Sequence, residues 1–431
     1  MDRPSRGQLR PTLGAFDATA MGIGAIIGAG IFTVTGTTAG LAGPALIISM
    51  GIAAIISLLT ALSFVELTAW LPAEGSIHEF ASQLVSPFVG FLAGWMWIVS
   101  YVFAGPAVSL TFSYYFTALF PVVDSRLIAA IVCLMFTALN CMGIRHSAAF
   151  NNMLVLAKVS ILLVFSAVGL FHLNVSNYSP FIPSGTGVLY GAFFIFFAYG
   201  GFARIAVLGE EVKDARRVVP QSIILALVTS TAIYLLVGTV AIGLVGPEIL
   251  GKSKSPLTEA ISIVGSPALT SIVSLGGLFA TGSVLLTSIL GVSRMAFSMA
   301  RKNDLPNFLS RLHSRYETPH YSILIIGSVM TLLALFADLR AVVAISTFAS
   351  LFYYGLANVS ALRMKIDSRL YPKAVPAAGL LSCLVLMLFV KASTLGIGAV
   401  CLLIGVIYYM VRNGPRKVLS FARAVNLILS M

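Results

Sequence analysis

Long apolar stretches, separated by short polar segments, follow one another along nearly the whole chain. A helix that crosses the hydrocarbon core of a bilayer needs about 20 mostly apolar residues. Twelve stretches approach this length: 12–40, 44–69, 87–119, 125–144, 150–172, 188–209, 221–246, 268–299, 320–337, 340–362, 374–391 and 394–412. The pattern predicts an all-α membrane protein with twelve transmembrane helices, whose connections are too short for a soluble domain.

Two of these stretches are interrupted by small residues. The first contains Gly28-Ala29-Gly30 in its middle, and the sixth contains Phe-Ala-Tyr-Gly-Gly-Phe at 197–202. Unwound backbone is costly in hydrocarbon unless a cavity, water, ion or ligand satisfies its N–H and C=O groups. Broken helices at corresponding places in two halves of a membrane protein point to a substrate site near the bilayer midplane. Close helix packing is the alternative role for these glycines.

The chemistry of the two breaks is complementary. The N–H groups at the first break lie where the dipole of the outer half-helix is positive, and they suit a carboxylate. Unwinding at Gly200 and Gly201 frees the carbonyls of Phe197, Ala198 and Gly200, which suit an ammonium group.

Composition and charge agree with a membrane protein. Of 431 residues, 58% are hydrophobic and only 10% are charged, which excludes an ordinary soluble protein. Segments predicted to be cytoplasmic hold 20 of the 27 Lys and Arg residues. This asymmetry predicts that both termini are cytoplasmic, and it explains the net charge of +12 without nucleic acid. We expect the plasma membrane to be the location.

Lys158 lies about two turns into the fifth stretch. An ionisable residue inside a span is a functional candidate by default, although a lysine there can also extend to the cytoplasmic interface. Burial disfavours the charged form of a lysine, so Lys158 is also a candidate for proton release.

Other polar residues leave alternatives open. Glu66 is a candidate proton relay or a hydrogen-bonded helix-end residue, and Asp17 lies where a helix start favours negative charge. The polar segment 73–86 is predicted to form a short cytoplasmic interfacial helix, with His78 and Glu79 toward water. No catalytic or metal-binding constellation is recognised, so we expect neither an enzyme nor a cofactor.

The residues resemble those of the amino acid–polyamine–organocation (APC) superfamily of transporters, and are most similar to its cationic amino acid transporter branch. The matching residues are Phe16-Asp17, Gly28 to Phe32, Glu66, Pro72, Gly75-Ser76, Phe197-Ala198-Tyr199, Glu210-Glu211-Val212, Pro220 and Arg301 to Pro306. The resemblance implies a 5+5 inverted repeat with helices 1 and 6 broken. It divides the chain into a cytoplasmic tail (1–11), two repeats (12–172 and 188–363), an accessory helix pair (374–412) and a second cytoplasmic tail (413–431).

The resemblance also implies the site residues. The substrate-binding set is Ile26, Ile27, Gly28, Ala29, Gly30, Phe197, Ala198, Gly200 and Phe202. Its first part would bind the α-carboxylate and its second the α-amino group, with Phe197 as a lid. The candidate coupling set is Lys158, Ser283 and Thr287, together with Glu66, which is included as the candidate proton relay named above. Lys158 would replace the sodium ion of relatives, contacting carbonyls near Ala25 and Ile26 and hydroxyls of Ser283 and Thr287, which are four apart on one helix face.

One position departs from the family pattern. Relatives often have an acidic residue where this chain has Ala203, and Arg204 follows it. The missing acid disfavours a cationic substrate side chain. Arg204 either attracts an acidic side chain, or it pairs with a neighbouring helix or reaches the interface.

The leading hypothesis is a secondary active transporter of free amino acids that works by alternating access. We expect it to be sodium-independent, linked to protons, and selective for neutral side chains. The alternatives are a polyamine or organic-cation carrier, an amino acid exchanger, and a sensor that binds an amino acid without transport. The expected partners are the amino acid, protons and the lipid bilayer, without nucleic acid, and the oligomeric state is left open.

Overall fold

The computed structural model describes residues 13–71, 76–121, 124–143, 148–182, 185–207, 212–365 and 369–413. The predicted tail 1–11, and all of the predicted tail 413–431 except Asn413, therefore lie outside the described residues. Within the described ranges the regular structure is helical, and one isolated backbone bridge pairs Leu13 with Val212.

Sixteen α-helices follow one another along the described chain. They are α1 (Ala15–Ile26), α2 (Thr35–Ala42), α3 (Leu46–Trp70), α4 (Ser76–Leu84), α5 (Pro87–Leu119), α6 (Ser125–Cys141), α7 (Ala148–Gly169), α8 (Gly185–Phe196), α9 (Ala203–Val207), α10 (Ala215–Lys252), α11 (Pro256–Ser262), α12 (Pro267–Arg301), α13 (His320–Phe336), α14 (Leu339–Leu362), α15 (Ala374–Met387) and α16 (Ala392–Asn413).

Eight helical stretches in the described ranges are long and apolar enough to cross a membrane. One of them, Ala15–Trp70, includes both the first and the second predicted spans and turns at a short 3-10 segment, Gly43–Ala45. Three further apolar helices, α6, α13 and α15, are shorter, with 17, 17 and 14 residues. The described helices thus support a membrane protein built from apolar helices, as the hydrophobic pattern predicted.

Local sequence signals define where several long helices begin. α5 begins after Ser86, whose hydroxyl accepts a hydrogen bond from the Val89 amide, and Pro87 occupies its first turn. α12 begins in the same way after Ser266, and α14 begins after Asp338, whose carboxylate accepts from two backbone amides. These side chains satisfy N–H groups that a helix start leaves without an intrahelical partner.

The helices that carry the two breaks lie in the middle of the bundle. α1 packs against α7 and α10, while α8 packs against α2 and α3. α5 makes extensive contacts with both α12 and α14. In contrast, α16 leaves a row of large apolar side chains exposed: Leu395, Val400, Leu403, Ile407 and Val411. A lipid environment accounts for such an apolar outer surface.

Three helices, α4, α10 and α11, differ in part from the sequence expectations. α11 was not predicted, and α10 continues past residue 246 through a kink at Gly246, where φ is +76°. The predicted interfacial helix is present as α4, but His78 does not face water. His78 is buried, and its Nε2 lies 2.7 Å from Oδ2 of Asp304, while Glu79 forms an ion pair with Lys302. α4 is therefore tied to the end of α12 by neighbouring polar contacts.

Candidate functional site

The first break occurs where predicted. α1 ends at Ile26, the backbone of Ile27 is extended (φ −75°, ψ 100°), and a π-helical turn at Gly30–Val34 leads into α2. Position 30 has room only for glycine, because an added Cβ would overlap the Cα and Cβ of Ala198 in the second break. The break thus depends on a close approach of two backbones.

The second break is a 3-10 turn at Phe197–Tyr199, followed by a non-helical turn before α9. Gly201 lies against the first break, since an added Cβ would overlap the carbonyl group of Ala25 and lie 2.5 Å from the Ile26 nitrogen. Gly200 differs, because its nearest neighbour would be 3.6 Å away. Of this glycine pair, Gly201 permits the contact between breaks and Gly200 has space beside it.

Tyrosine hydroxyls bind carbonyls that the breaks expose. Tyr101 and Tyr354 both donate to the Gly200 carbonyl, at 3.1 and 2.9 Å. The Tyr234 hydroxyl lies 2.7 Å from the Ile26 carbonyl oxygen and 3.1 Å from that of Ala198, so it can donate to either. Two of the three carbonyls assigned to an ammonium group, those of Ala198 and Gly200, therefore lie within reach of tyrosine hydroxyls, and the third, that of Phe197, accepts from the Gly200 amide at 3.4 Å.

These tyrosines were missed by sequence reasoning. They lie on α5, α10 and α14, in apolar stretches where a tyrosine looks like any other aromatic residue. A buried tyrosine hydroxyl needs a hydrogen-bond partner, and the helix breaks leave carbonyls without one. Together these two facts were the signal that could have found the tyrosines.

A cavity lies between the two breaks and is completed by residues of α5, α9, α12 and α14. Seven of the nine predicted substrate-binding residues line it: Ile26, Gly28, Ala29, Gly30, Phe197, Ala198 and Gly200. Ile27 and Phe202 do not belong to the lining. The Phe202 ring is buried and stacks on the Tyr354 ring, with centroids 5.1 Å apart. It therefore packs against a tyrosine that binds the second break.

Serine hydroxyls form a polar wall opposite the breaks. Ser100 on α5 lies 2.7 Å from the Ser350 hydroxyl and 3.1 Å from the Ser346 carbonyl oxygen, both on α14. All three serines line the cavity. Their hydroxyl hydrogens can rotate, so this wall can offer donors or acceptors to a polar ligand.

Lys158 connects α7 to the first break. Its side chain is fully buried, and Nζ donates to the carbonyls of Gly24 and Ile27, both at 2.7 Å. Nζ also lies 3.5 Å from the Ser283 hydroxyl on α12. These carbonyls flank the predicted pair, Ala25 and Ile26. The lysine therefore points into the bundle and does not extend to the surface.

The Thr287 hydroxyl, which was expected beside Lys158, binds Arg204 instead. Its guanidinium donates to Thr287 Oγ1 at 3.3 Å and to Ser288 Oγ at 2.7 Å, and lies 4.7 Å from the centre of the Tyr101 ring. Arg204 also lines the cavity, whereas its neighbour Ala203 is buried outside the lining. Arg204 is the only charged side chain among the described lining residues.

Glu66 and Asp17 lie apart from the cavity lining. Glu66 is buried, and one carboxylate oxygen accepts from the Leu370 amide at 2.9 Å, while the other has no hydrogen-bond partner among the described residues. Asp17 accepts from the Gly14 amide, consistent with its position at the start of α1. Across the described ranges, no three His, Cys, Asp or Glu side chains are grouped as a metal site would require.

Residues 13–427 match the amino acid permease family. An uncharacterized transporter of Mycobacterium tuberculosis is 35% identical over 409 residues, which cover 94% of this chain and 92% of that protein. A branched-chain amino acid permease of Bacillus subtilis is 30% identical, with 96% of this chain and 95% of that protein covered. A methylthioribose transporter of the same organism is 34% identical, with 77% and 76% covered. The similarity thus extends over most of each chain.

Proposed function

Since this chain belongs to the amino acid permease family of the APC superfamily, we propose that it is a secondary active transporter of free amino acids. The observation that carries the proposal is the cavity between the two helix breaks. The breaks are in close contact, with Gly30 against Ala198 and Gly201 against Ala25 and Ile26. A site at paired breaks can be exposed to either side of a bilayer when the half-helices move. This integral membrane protein would then work by alternating access.

The binding of the amino acid backbone follows from the polarity of the breaks. The α-carboxylate would bind N–H groups at residues 28–30, and the α-amino group would bind near the carbonyls of 197–200, under Phe197 as a lid. The amino group would compete with Tyr101 and Tyr354 for the Gly200 carbonyl, which has two lone pairs. A decarboxylated amine that was taken up as well as its parent amino acid would contradict this arrangement.

Lys158 supports independence from sodium. Its ammonium group lies among two carbonyl oxygens and a hydroxyl, which are the ligands that a sodium ion would need. A second cation beside it would be repelled by several kcal/mol, on the order expected at short range in a poorly solvated site. A protonation change at Lys158 would release α1 from α7, which gives a route from proton movement to conformational change.

Reconstituted protein tests both parts of this mechanism. Uptake into proteoliposomes should persist when sodium is replaced by choline and should respond to an imposed pH gradient. Lys158→Ala should abolish uptake, because α1 loses its charged tie to α7. Lys254→Ala is the matched control, since that lysine is exposed and lies 5.5 Å over the Tyr114 ring. Sodium-dependent uptake, or full activity of Lys158→Ala, would refute the proposed coupling.

Substrate preference is proposed from the charge of the lining. Neutral side chains should be favoured over cationic ones, because Arg204 is positive and no described lining residue is acidic. The same observation disfavours a polyamine carrier. Competition among alanine, leucine, glutamate and arginine tests this preference, and methylthioribose belongs in the panel because a relative carries that name. Arginine as the strongest competitor would contradict it.

Uptake only into vesicles preloaded with an amino acid would identify an exchanger.

We also propose the topology: twelve crossings in a plasma membrane, both termini cytoplasmic, and inverted repeats at 12–172 and 188–363. The turn within Ala15–Trp70 and the three short apolar helices support the higher count of crossings. In a cysteine-free background, Lys254→Cys and Lys391→Cys should react with an impermeant thiol reagent applied to intact cells. Lys302→Cys should react only after the cells are opened, and the reverse pattern would invert the topology.

A further inference from the structure

Arg204 presents a charge to the cavity without a described acidic partner. Its two protein hydrogen bonds go to the neutral hydroxyls of Thr287 and Ser288. Both hydroxyls donate their own hydrogens to backbone carbonyls of α12, so they act toward Arg204 as acceptors. These contacts fix the guanidinium in place, but they do not neutralise it.

The guanidinium also keeps donors available. It carries five N–H groups in a planar fork, and the two contacts with α12 use two of them. The guanidinium carbon lies over the Tyr101 ring, 4.7 Å from its centroid, and this ring is held in turn by the hydrogen bond that its hydroxyl donates to the Gly200 carbonyl. The remaining donors therefore belong to a rigidly held group at the cavity wall.

In these surroundings, a guanidinium without a compensating negative charge is unfavourable. A buried or partly buried cation is stable when charge and hydrogen bonds compensate it, and costly when they do not. The other described lining residues offer apolar side chains, backbone and the hydroxyls of α5 and α14. A negatively charged acceptor that would neutralise the guanidinium is absent from the described lining, so a ligand can supply it.

We propose that Arg204 recognises the substrate's side chain through an oxygen acceptor. The transporter would then favour amino acids whose side chains end in a carboxylate or an amide over those that end in an apolar group or a cation. This inference rests on the proposed transport of amino acids and narrows its substrate class. Arg204 is thus a specificity-determining residue, and its ties to α12 and Tyr101 orient it.

Four amino acids of similar length test the inference: glutamate, glutamine, methionine and lysine. Initial uptake of each radiolabelled compound into proteoliposomes gives kcat/KM for side chains that end in a carboxylate, an amide, a thioether or an ammonium. A hydrogen bond to a charged group discriminates by about tenfold or more. Glutamate and glutamine should therefore exceed methionine by about this factor, and lysine should be the poorest substrate.

Variants separate recognition from a structural role. Arg204→Ala should bring the ratio of glutamine to methionine close to one, with methionine uptake reduced least. Arg204→Lys keeps the charge but loses the planar fork, so it should retain preference for glutamate more than for glutamine. Arg301→Ala is the control, because Arg301 lies 5.7 Å over the Phe297 ring, outside the cavity lining, and the ratios should not change.

The outcomes are distinct. Equal loss of all four uptakes in Arg204→Ala would assign the residue a structural role and overturn the inference. Methionine preferred over both oxygen-bearing amino acids by the unmodified protein would overturn it even if Arg204→Ala failed to fold. In both cases transport of amino acids would stand. Absence of uptake for every amino acid would instead refute the proposed function itself.

Discussion

Gly201→Ala is the substitution for which the structure gives the sharpest expectation. A Cβ at this position would overlap the Ala25 carbonyl group and lie 2.5 Å from the Ile26 nitrogen, whereas ordinary contacts begin at 3.4 Å. The Ile26 contact alone is thus about 0.9 Å too short. The obstacle is backbone of the crossing segment, which cannot rotate away as a side chain could.

The magnitude follows from the kind of obstacle. Overpacking a well-filled interior typically costs about 1–3 kcal/mol, and an obstacle made of backbone belongs at the upper end of that range or above it. Relief requires that the two breaks move apart. This movement would also disturb the Lys158 contacts with Gly24 and Ile27, on either side of the overlapped residues.

Gly200→Ala is the matched control, one residue away in the same break. Its added Cβ would meet nothing closer than 3.6 Å, and its φ of −61° is accessible to alanine. Thermal unfolding of the purified variants in detergent should show a lower midpoint for Gly201→Ala and little change for Gly200→Ala. Uptake should be lost in Gly201→Ala. Equal midpoints for the two variants, with Gly201→Ala still active, would refute the close crossing of the breaks.

Two further substitutions test contacts around the same helices. Tyr234→Phe should lower uptake and cost about 0.5–1.5 kcal/mol of stability, because it removes the hydroxyl beside the Ile26 and Ala198 carbonyls. Uptake and unfolding assays measure both effects, and an unchanged variant would show that this hydroxyl is dispensable. Arg369→Ala should lower the unfolding midpoint without changing substrate ratios, because the guanidinium binds the carbonyls of Ala361, Leu362 and Met364 at the end of α14. A change in substrate ratios would instead connect this helix end to the site.

The sequence was informative about both helix breaks because their signal is local. Glycine clusters inside apolar stretches predicted where α1 and α8 end, and both ends were found there. The similarity to the amino acid permease family agrees with the resemblance drawn from the motifs. The twelve-crossing count and the repeat boundaries stay predictions, since the described residues contain eight helical stretches that are long and apolar enough to cross a membrane and three shorter apolar helices.

The contacts of the polar side chains were less predictable. Helical spacing placed Ser283 and Thr287 on one face, but it could not say that Arg204 on α9 would bind Thr287 and leave only Ser283 near Lys158. His78 was expected toward water because its segment is polar, yet it is buried against Asp304. Residue type and spacing describe one helix at a time, whereas these contacts join helices far apart in sequence.

By itself, the sequence determined that the chain is a bundle of apolar helices, that two of them are interrupted, and that a lysine lies inside a span. These properties depend on hydropathy and on backbone freedom, which neighbouring residues set. The tertiary structure alone decided that the two breaks touch, that tyrosines from three other helices bind the exposed carbonyls, and that Arg204 is the charged group at the cavity wall. The physical reason is that a polar group in an apolar interior must find its partner in space, and the fold determines which groups are within reach.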